Sequence, residues 1–328
     1  MRTHLLAGAV SALIASSAFA AERDAAPALG TAAASATSNA AKLALGTIFP
    51  ANVFFNAQLA SGGVGMRNRR VGSIEVSGAP SPTRAAFLYW ALITNGPAPV
   101  AARTVRIQRR FPTPVSAVTA VTGVVVGTGA QPCWAGTTIT VLKAPVPTAL
   151  ATGSGTYELT FPAAASGLAN GRDPWFGAPV LPLLQGASLV LVSRGNTAVA
   201  LYDAGLSGQT FGVDPTLSYT LSLPAAFGGF TLQWENIAAD GQYGDSRTPL
   251  TGTANEVTTV NGTRVMGPGS PYNDSGWNGA VAGPLPQLWD DTSINVVSAV
   301  PTGSTSMSVR VTADSDCLTP VANAVGVR

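Results

Sequence analysis

Arg84-Ala-Ala-Phe-Leu-Tyr-Trp-Ala-Leu-Ile-Thr94 carries apolar side chains at both odd and even positions, and Pro82 and Pro97 bound it. In a strand, successive side chains point to opposite faces, so a run that is apolar on both belongs to a sheet covered on both sides. A short buried helix is the competing reading. The aromatic enrichment and the flanking prolines favour the strand.

Two further stretches extend the pattern. In Ser188–Asp203, the runs Ser-Leu-Val-Leu-Val-Ser-Arg and Thr-Ala-Val-Ala-Leu-Tyr-Asp flank Gly195-Asn196, which predicts a tight hairpin. In 306–312, Met307, Val309 and Val311 alternate with Ser306, Ser308, Arg310 and Thr312, which predicts an antiparallel strand with one face in water. Strands are also expected at Val71–Val76, Thr104–Gln108, Ser116–Gly127, Thr137–Leu142, Thr156–Phe161, Leu217–Leu223, Phe230–Glu235, Val257–Val265 and Ile294–Val300.

After Lys42 no stretch keeps a helical period for three turns without Gly or Pro. Many short strands with turn residues between them predict an all-β fold, an antiparallel β-sandwich of jelly-roll type. The expected unit is 44–328, with a two-lobed variant divided near 203–216. No regular repeat points to a propeller or solenoid. An outer-membrane barrel also alternates, but the aromatic share is only 7%, and no girdles are evident.

The N-terminus reads as an export signal. Arg2 and His4 precede an apolar run from Leu5 to Ile14, and Ala18-Phe19-Ala20 supplies a small-residue cleavage site. Residues 1–20 are therefore expected to be a cleaved signal peptide, and the protein secreted or periplasmic. Residues 21–43, mainly Ala, Ser and Thr, have too little apolar bulk to offset the entropy of ordering, so a flexible leader is expected there. Every later apolar run is interrupted before about twenty residues, so no membrane span is expected after cleavage.

Without Arg2 the chain has 17 basic and 16 acidic side chains. A near-neutral balance offers no field for nucleic acid. The two arginine groups, Arg67, Arg69 and Arg70, and Arg106, Arg109 and Arg110, read as solvated loop or strand-end charges.

His4 is the single histidine, and it lies in the signal segment. That excludes Ser-His-Asp and Cys-His catalysis and histidine-ligated metals from the mature chain. Of the two lysines, Lys42 and Lys143, neither sits in a Ser-x-x-Lys pattern. Carboxylate chemistry remains open, with Glu158, Glu235, Asp240, Asp245, Asp290 and Asp291 as candidates, because a glycosidase needs only two such groups. No motif certifies any of them.

Cys133 and Cys317 are the only cysteines. In an oxidising compartment an even pair is most simply a disulfide, with two buried thiols as the alternative. The oxygen-rich turns that carry Asp240, Asp245, Asp274, Asp314 and Asp316 are weak calcium candidates, since Asp and Asn also simply make turns. No other cofactor is expected. Trp134, Trp175, Trp277 and Trp289 lie close to Gly, Pro or Asp. On loops they would stack on sugar rings or touch a partner; the alternative is that they plug the ends of the sandwich.

The order of several segments resembles a family of secreted bacterial β-sandwich domains of unknown function found in surface and adhesin-like proteins. The carrying residues are Arg84–Trp90, Pro132-Cys133-Trp134-Ala135-Gly136, Gly153–Glu158, Gln185–Val192, Ala198–Asp203, Ala239-Asp240-Gly241, Leu288–Thr292 and Asp316-Cys317-Leu318. The resemblance implies an all-β domain paired at Cys133 and Cys317, and brings no catalytic residues with it. The function expected is a non-enzymatic envelope or extracellular module for adhesion, matrix or structure, with an envelope protein or a surface polysaccharide as partner. The alternative is a polysaccharide-binding or polysaccharide-active protein using loop Trp and carboxylates.

Overall fold

The computed structural model describes residues 43–66, 69–130, 136–167, 180–203, 216–239, 256–267, 270, 289–312 and 319–328. The signal, the leader as far as residue 42, and most of the expected seam, 204–215, lie outside the described residues; Leu43, the last residue of the expected leader, opens a strand. Among the described residues the chain is all-β, and no helix reaches seven residues.

Eighteen strands are described. The first six are β1 (Leu43–Ile48), β2 (Asn52–Gly65), β3 (Val71–Val76), β4 (Thr83–Thr94), β5 (Thr104–Phe111) and β6 (Thr119–Thr122). The next six are β7 (Val124–Ala130), β8 (Thr138–Pro145), β9 (Gly155–Thr160), β10 (Leu183–Arg194), β11 (Thr197–Tyr202) and β12 (Thr216–Ser222). The last six are β13 (Leu232–Ala239), β14 (Val257–Val260), β15 (Thr263–Met266), β16 (Trp289–Asn295), β17 (Ser306–Thr312) and β18 (Thr319–Val327). They form a nine-stranded sheet ordered β16-β13-β18-β11-β2-β10-β4-β8-β7, a five-stranded sheet β1-β12-β17-β14-β15 and a four-stranded sheet β3-β9-β5-β6.

The stretch 84–94 forms β4, between β10 and β8. Its two faces enter different cores: Leu88, Trp90 and Leu92 one, Tyr89, Ala91 and Ile93 another. The alternating stretch 306–312 forms β17, with Met307, Val309 and Val311 buried and its serines exposed.

The hairpin expected at Gly195-Asn196 is absent. β10 runs antiparallel to β2, with Arg194 opposite Ala57, and β11 continues along the same strand, with Thr197 also opposite Ala57. The two are one bent course, because β2 is long enough to supply ladder partners to both. The bend is built at Asn56, whose φ is 50°, and at Gly195, whose N–H donates to the Asn56 carbonyl at 3.2 Å. A Cβ on Gly195 would lie 2.5 Å from the Ala57 carbonyl oxygen, so a side chain does not fit there.

This bend folds the large sheet back on itself. In a flat sheet β16 and β2, four positions apart, would be separated by about 19 Å. Instead the Ser61 hydroxyl on β2 bonds Asp291 on β16 at 2.5 Å, and the Trp289 indole on β16 donates to Ser188 on β10 at 2.9 Å. One half (β2, β10, β4, β8, β7) therefore faces the other (β2, β11, β18, β13, β16). Val190, Val192 and Ile93 from the first half pack with Val199, Ile237 and Val321 from the second in an inner core. The four-stranded sheet covers the outer face of the first half, and the five-stranded sheet covers that of the second. The result is two sandwiches back to back, which explains why β10 is buried along almost its whole length while the outer strands β12 and β17 alternate between buried and more exposed positions.

Two other expectations are corrected. The expected strand Ser116–Gly127 is split at Gly123, where a Cβ would lie 2.3 Å from the Trp90 ring; β6 joins the four-stranded sheet and β7 the large one. Val257–Val265 is a hairpin, β14 paired with β15, turning at Asn261 (φ 47°) and Gly262 (φ 83°). Those are the dihedrals of the type I′ turn that Asn-Gly favours.

Candidate functional site

β13 and β16 pair so that Glu235 stands opposite Ser293, and Asp291 opposite Ile237. Folding the halves together lays both carboxylates against β2. Ser61 Oγ lies 2.5 Å from Asp291 Oδ1 and 3.1 Å from Glu235 Oε2. Ser293 donates to Glu235 Oε1 at 2.6 Å, and Gln233 Nε2 donates to Ser293 Oγ at 2.5 Å. Asp291 Oδ2 is buried.

Burial pushes the Glu235 carboxyl up to about 7, and the Asp291 charge adds to the rise; hydrogen bonds from Ser293 and Ser61 oppose it. Burial also pushes Asp291 up to about 6, against hydrogen bonds from Ser188 and Ser61. Desolvation disfavours the charged form of an acid, and a like charge adds to that.

Glu235, Ser61 and Ser293 form the inner end of a groove of about 420 Å³ where the cleft between the halves opens. Its walls are Gln58, Asn196, Thr197, Thr231, Gln233 and Ser77, with Leu59, Ala60, Gly78 and Gly326. Glu235 is the one ionisable group among these lining residues. The rest are amides, hydroxyls, small apolar groups and backbone, suited to donating and accepting with an uncharged polar ligand.

No family model matches this chain. No curated protein matches it either, so the reading of the site rests on its own residues.

The other candidates are dispersed. Glu158 on β9 bonds the Arg110 side chain at 3.2 Å at the surface. Asp290 is buried on β16, next to Asp291 and so on the opposite face of the strand. Trp289, expected on a loop, opens β16 and is fully buried in the inner core; its indole is not available for stacking on a sugar. Trp134, Trp175 and Trp277, Cys133 and Cys317, and Asp240, Asp245, Asp274, Asp314 and Asp316 lie outside the described residues. Among the described residues no group of three or more His, Cys, Asp or Glu is placed to hold a metal ion.

Ser61 escaped sequence reasoning, since nothing distinguishes it from other serines until β2 meets β16. A second polar cluster was also missed. Lys143 on β8 donates to Asn52 Oδ1 at 2.6 Å and pairs with Asp203 Oδ1 at 2.6 Å. The Tyr89 hydroxyl donates to the same Asp203 oxygen at 2.8 Å, and the ammonium lies 4.5 Å from the Phe87 ring centroid. Burial, with the Asp203 charge beside it, raises Tyr89 well above the usual phenol range, so the phenol stays a neutral donor. These partners join β8 and β4 of the first half to the β2 and β11 side of the second, a structural role.

Proposed function

We propose that the protein is an exported, non-enzymatic module of the cell envelope or extracellular space, one that holds a neutral polysaccharide in the groove between its two sandwiches. The observation that carries this reading is the groove lining: amide and hydroxyl side chains with a single, deeply buried ionisable group. Such a surface exchanges hydrogen bonds with water for hydrogen bonds with a polyhydroxylated ligand without desolvating an exposed charge.

The export pattern at residues 1–20 supports the location, and the paired count of cysteines supports a Cys133–Cys317 disulfide within this reading. A free-thiol assay on denatured, unreduced protein should find none; two free thiols would remove the disulfide.

A glycan array with the full mature chain tests the ligand. Binding to neutral polysaccharides is expected, weakened at least tenfold by Gln233→Ala or Asn196→Ala. Absence of any glycan binding, or binding unaffected by both substitutions, overturns the groove as the site.

A further inference from the structure

The contacts around Ser61 contain a proton-counting problem. A serine hydroxyl has one proton to donate, yet its oxygen lies within hydrogen-bond distance of two carboxyl groups, Asp291 at 2.5 Å and Glu235 at 3.1 Å. Both contacts are hydrogen bonds only if one carboxyl is itself protonated. The consistent direction is Gln233 to Ser293 to Glu235 on one side, and protonated Glu235 to Ser61 to Asp291 on the other.

Among the described residues no cation compensates the pair. On β2 the facing groups are Ser61 and Leu59, and on β10 they are Ser188 and Gly186, all uncharged. On β13 the one ionisable neighbour is Glu235 itself, and on β16 Asp290 turns to the opposite face. On β18 Gly326 and Ala324 face the cleft, while the Arg328 guanidinium sits 5.5 Å from the Phe230 ring centroid. Beyond β3, Ser77 and Gly78 are neutral, and Glu75 accepts from Thr156 at 2.8 Å. Asp291 Oδ2 is buried and the groups donating to the pair are the Ser61, Ser188 and Ser293 hydroxyls, so among the described residues a second negative charge at this site would have no cation to balance it.

We infer that Glu235, Ser61 and Asp291 form a one-proton latch between the two sandwiches, and that losing the proton parts β13 and β16 from β2 and β10 and opens the inner end of the groove. With the proton in place, a continuous run of hydrogen bonds spans the halves. Without it, two like charges face each other in a site with no positive partner among the described residues. The carboxyls titrate at the mildly acidic to neutral values that burial gives them.

Hydrogen exchange on the full mature chain, corrected for intrinsic rates, reads the latch directly. Opening of β13 and β16 should become at least about tenfold more populated between about pH 5.5 and pH 8.5, since one net proton shifts an equilibrium about tenfold per pH unit across its titration range. Glu235→Gln, which keeps a donor toward Ser61 and an acceptor toward Ser293, should remove that dependence. Asp291→Asn is the second variant, so a folding failure in one leaves the other to decide. In the wild type the carboxylic-acid carbonyl stretch should persist at pH 5.5 and vanish at pH 8.5. Exchange in β13 and β16 that is pH-independent in the wild type, or equally pH-dependent in a folded variant, overturns the latch.

Discussion

The inner core contains two polar clusters, and they solve the same problem in opposite ways. At one, Asp203 is met by Tyr89 and by Lys143, whose ammonium also donates to Asn52, so its charge is compensated at 2.6 Å. At the other, Glu235 and Asp291 meet only hydroxyls, and a proton must do what Lys143 does elsewhere. Both tie the same two halves together. The first is built to hold its charge, and the second holds only while it is neutralised, so polar content alone does not predict how rigid a contact between sheets is.

The largest effect is expected from Trp289→Ala. It removes a fully buried indole beside the carboxyl pair and strips Ser188 of a donor. Losses for such truncations are about 3–5 kcal/mol, to be read by urea denaturation. Lys143→Met makes the first cluster resemble the second by leaving Asp203 without its cation. A loss of about 3 kcal/mol is expected, and a change below about 1 kcal/mol would show that the cation is dispensable.

The pH dependence has a definite sign. Both carboxyls of the pair are raised in the folded protein, so between about pH 4 and pH 7 the folded state binds more protons than the unfolded one, and stability falls as pH rises through that window. Glu235→Gln should therefore be nearly neutral at about pH 4 and stabilising by about 2 kcal/mol at about pH 8. Thermal melts across the window check this, and parallel wild-type and variant profiles would refute it. The smallest effect is expected at Glu158→Gln, because the exposed contact with Arg110 resembles surface pairs worth about 0–1 kcal/mol.

Sequence periodicity located β4 and β17 because burial on two faces or one leaves a direct mark on alternation. It failed where partner choice decides. Gly195-Asn196 has hairpin chemistry, yet β10 and β11 both find β2 instead, and no local pattern encodes that. Asn261-Gly262 has the stronger hairpin signal and does turn, although 257–265 reads equally as one β-rich run. Ser116–Gly127 conceals its break because Gly123 is required by the Trp90 ring, a neighbour distant in sequence. The site was legible to the same extent: Glu235 and Asp291 could be named as acids, but their meeting over Ser61 depends on the folding back of a sheet.

The shared course of β2 with β10 and β11 also bears on how the molecule comes apart. Because each sandwich borrows a segment of the same two strands, neither has a complete set of ladder partners alone, and their pairing joins segments more than a hundred residues apart. Assembly must close that long loop before either body gains its full complement of bonds, which places the protein among slow, high-contact-order folders. Chemical denaturation should accordingly show both bodies melting in a single cooperative step.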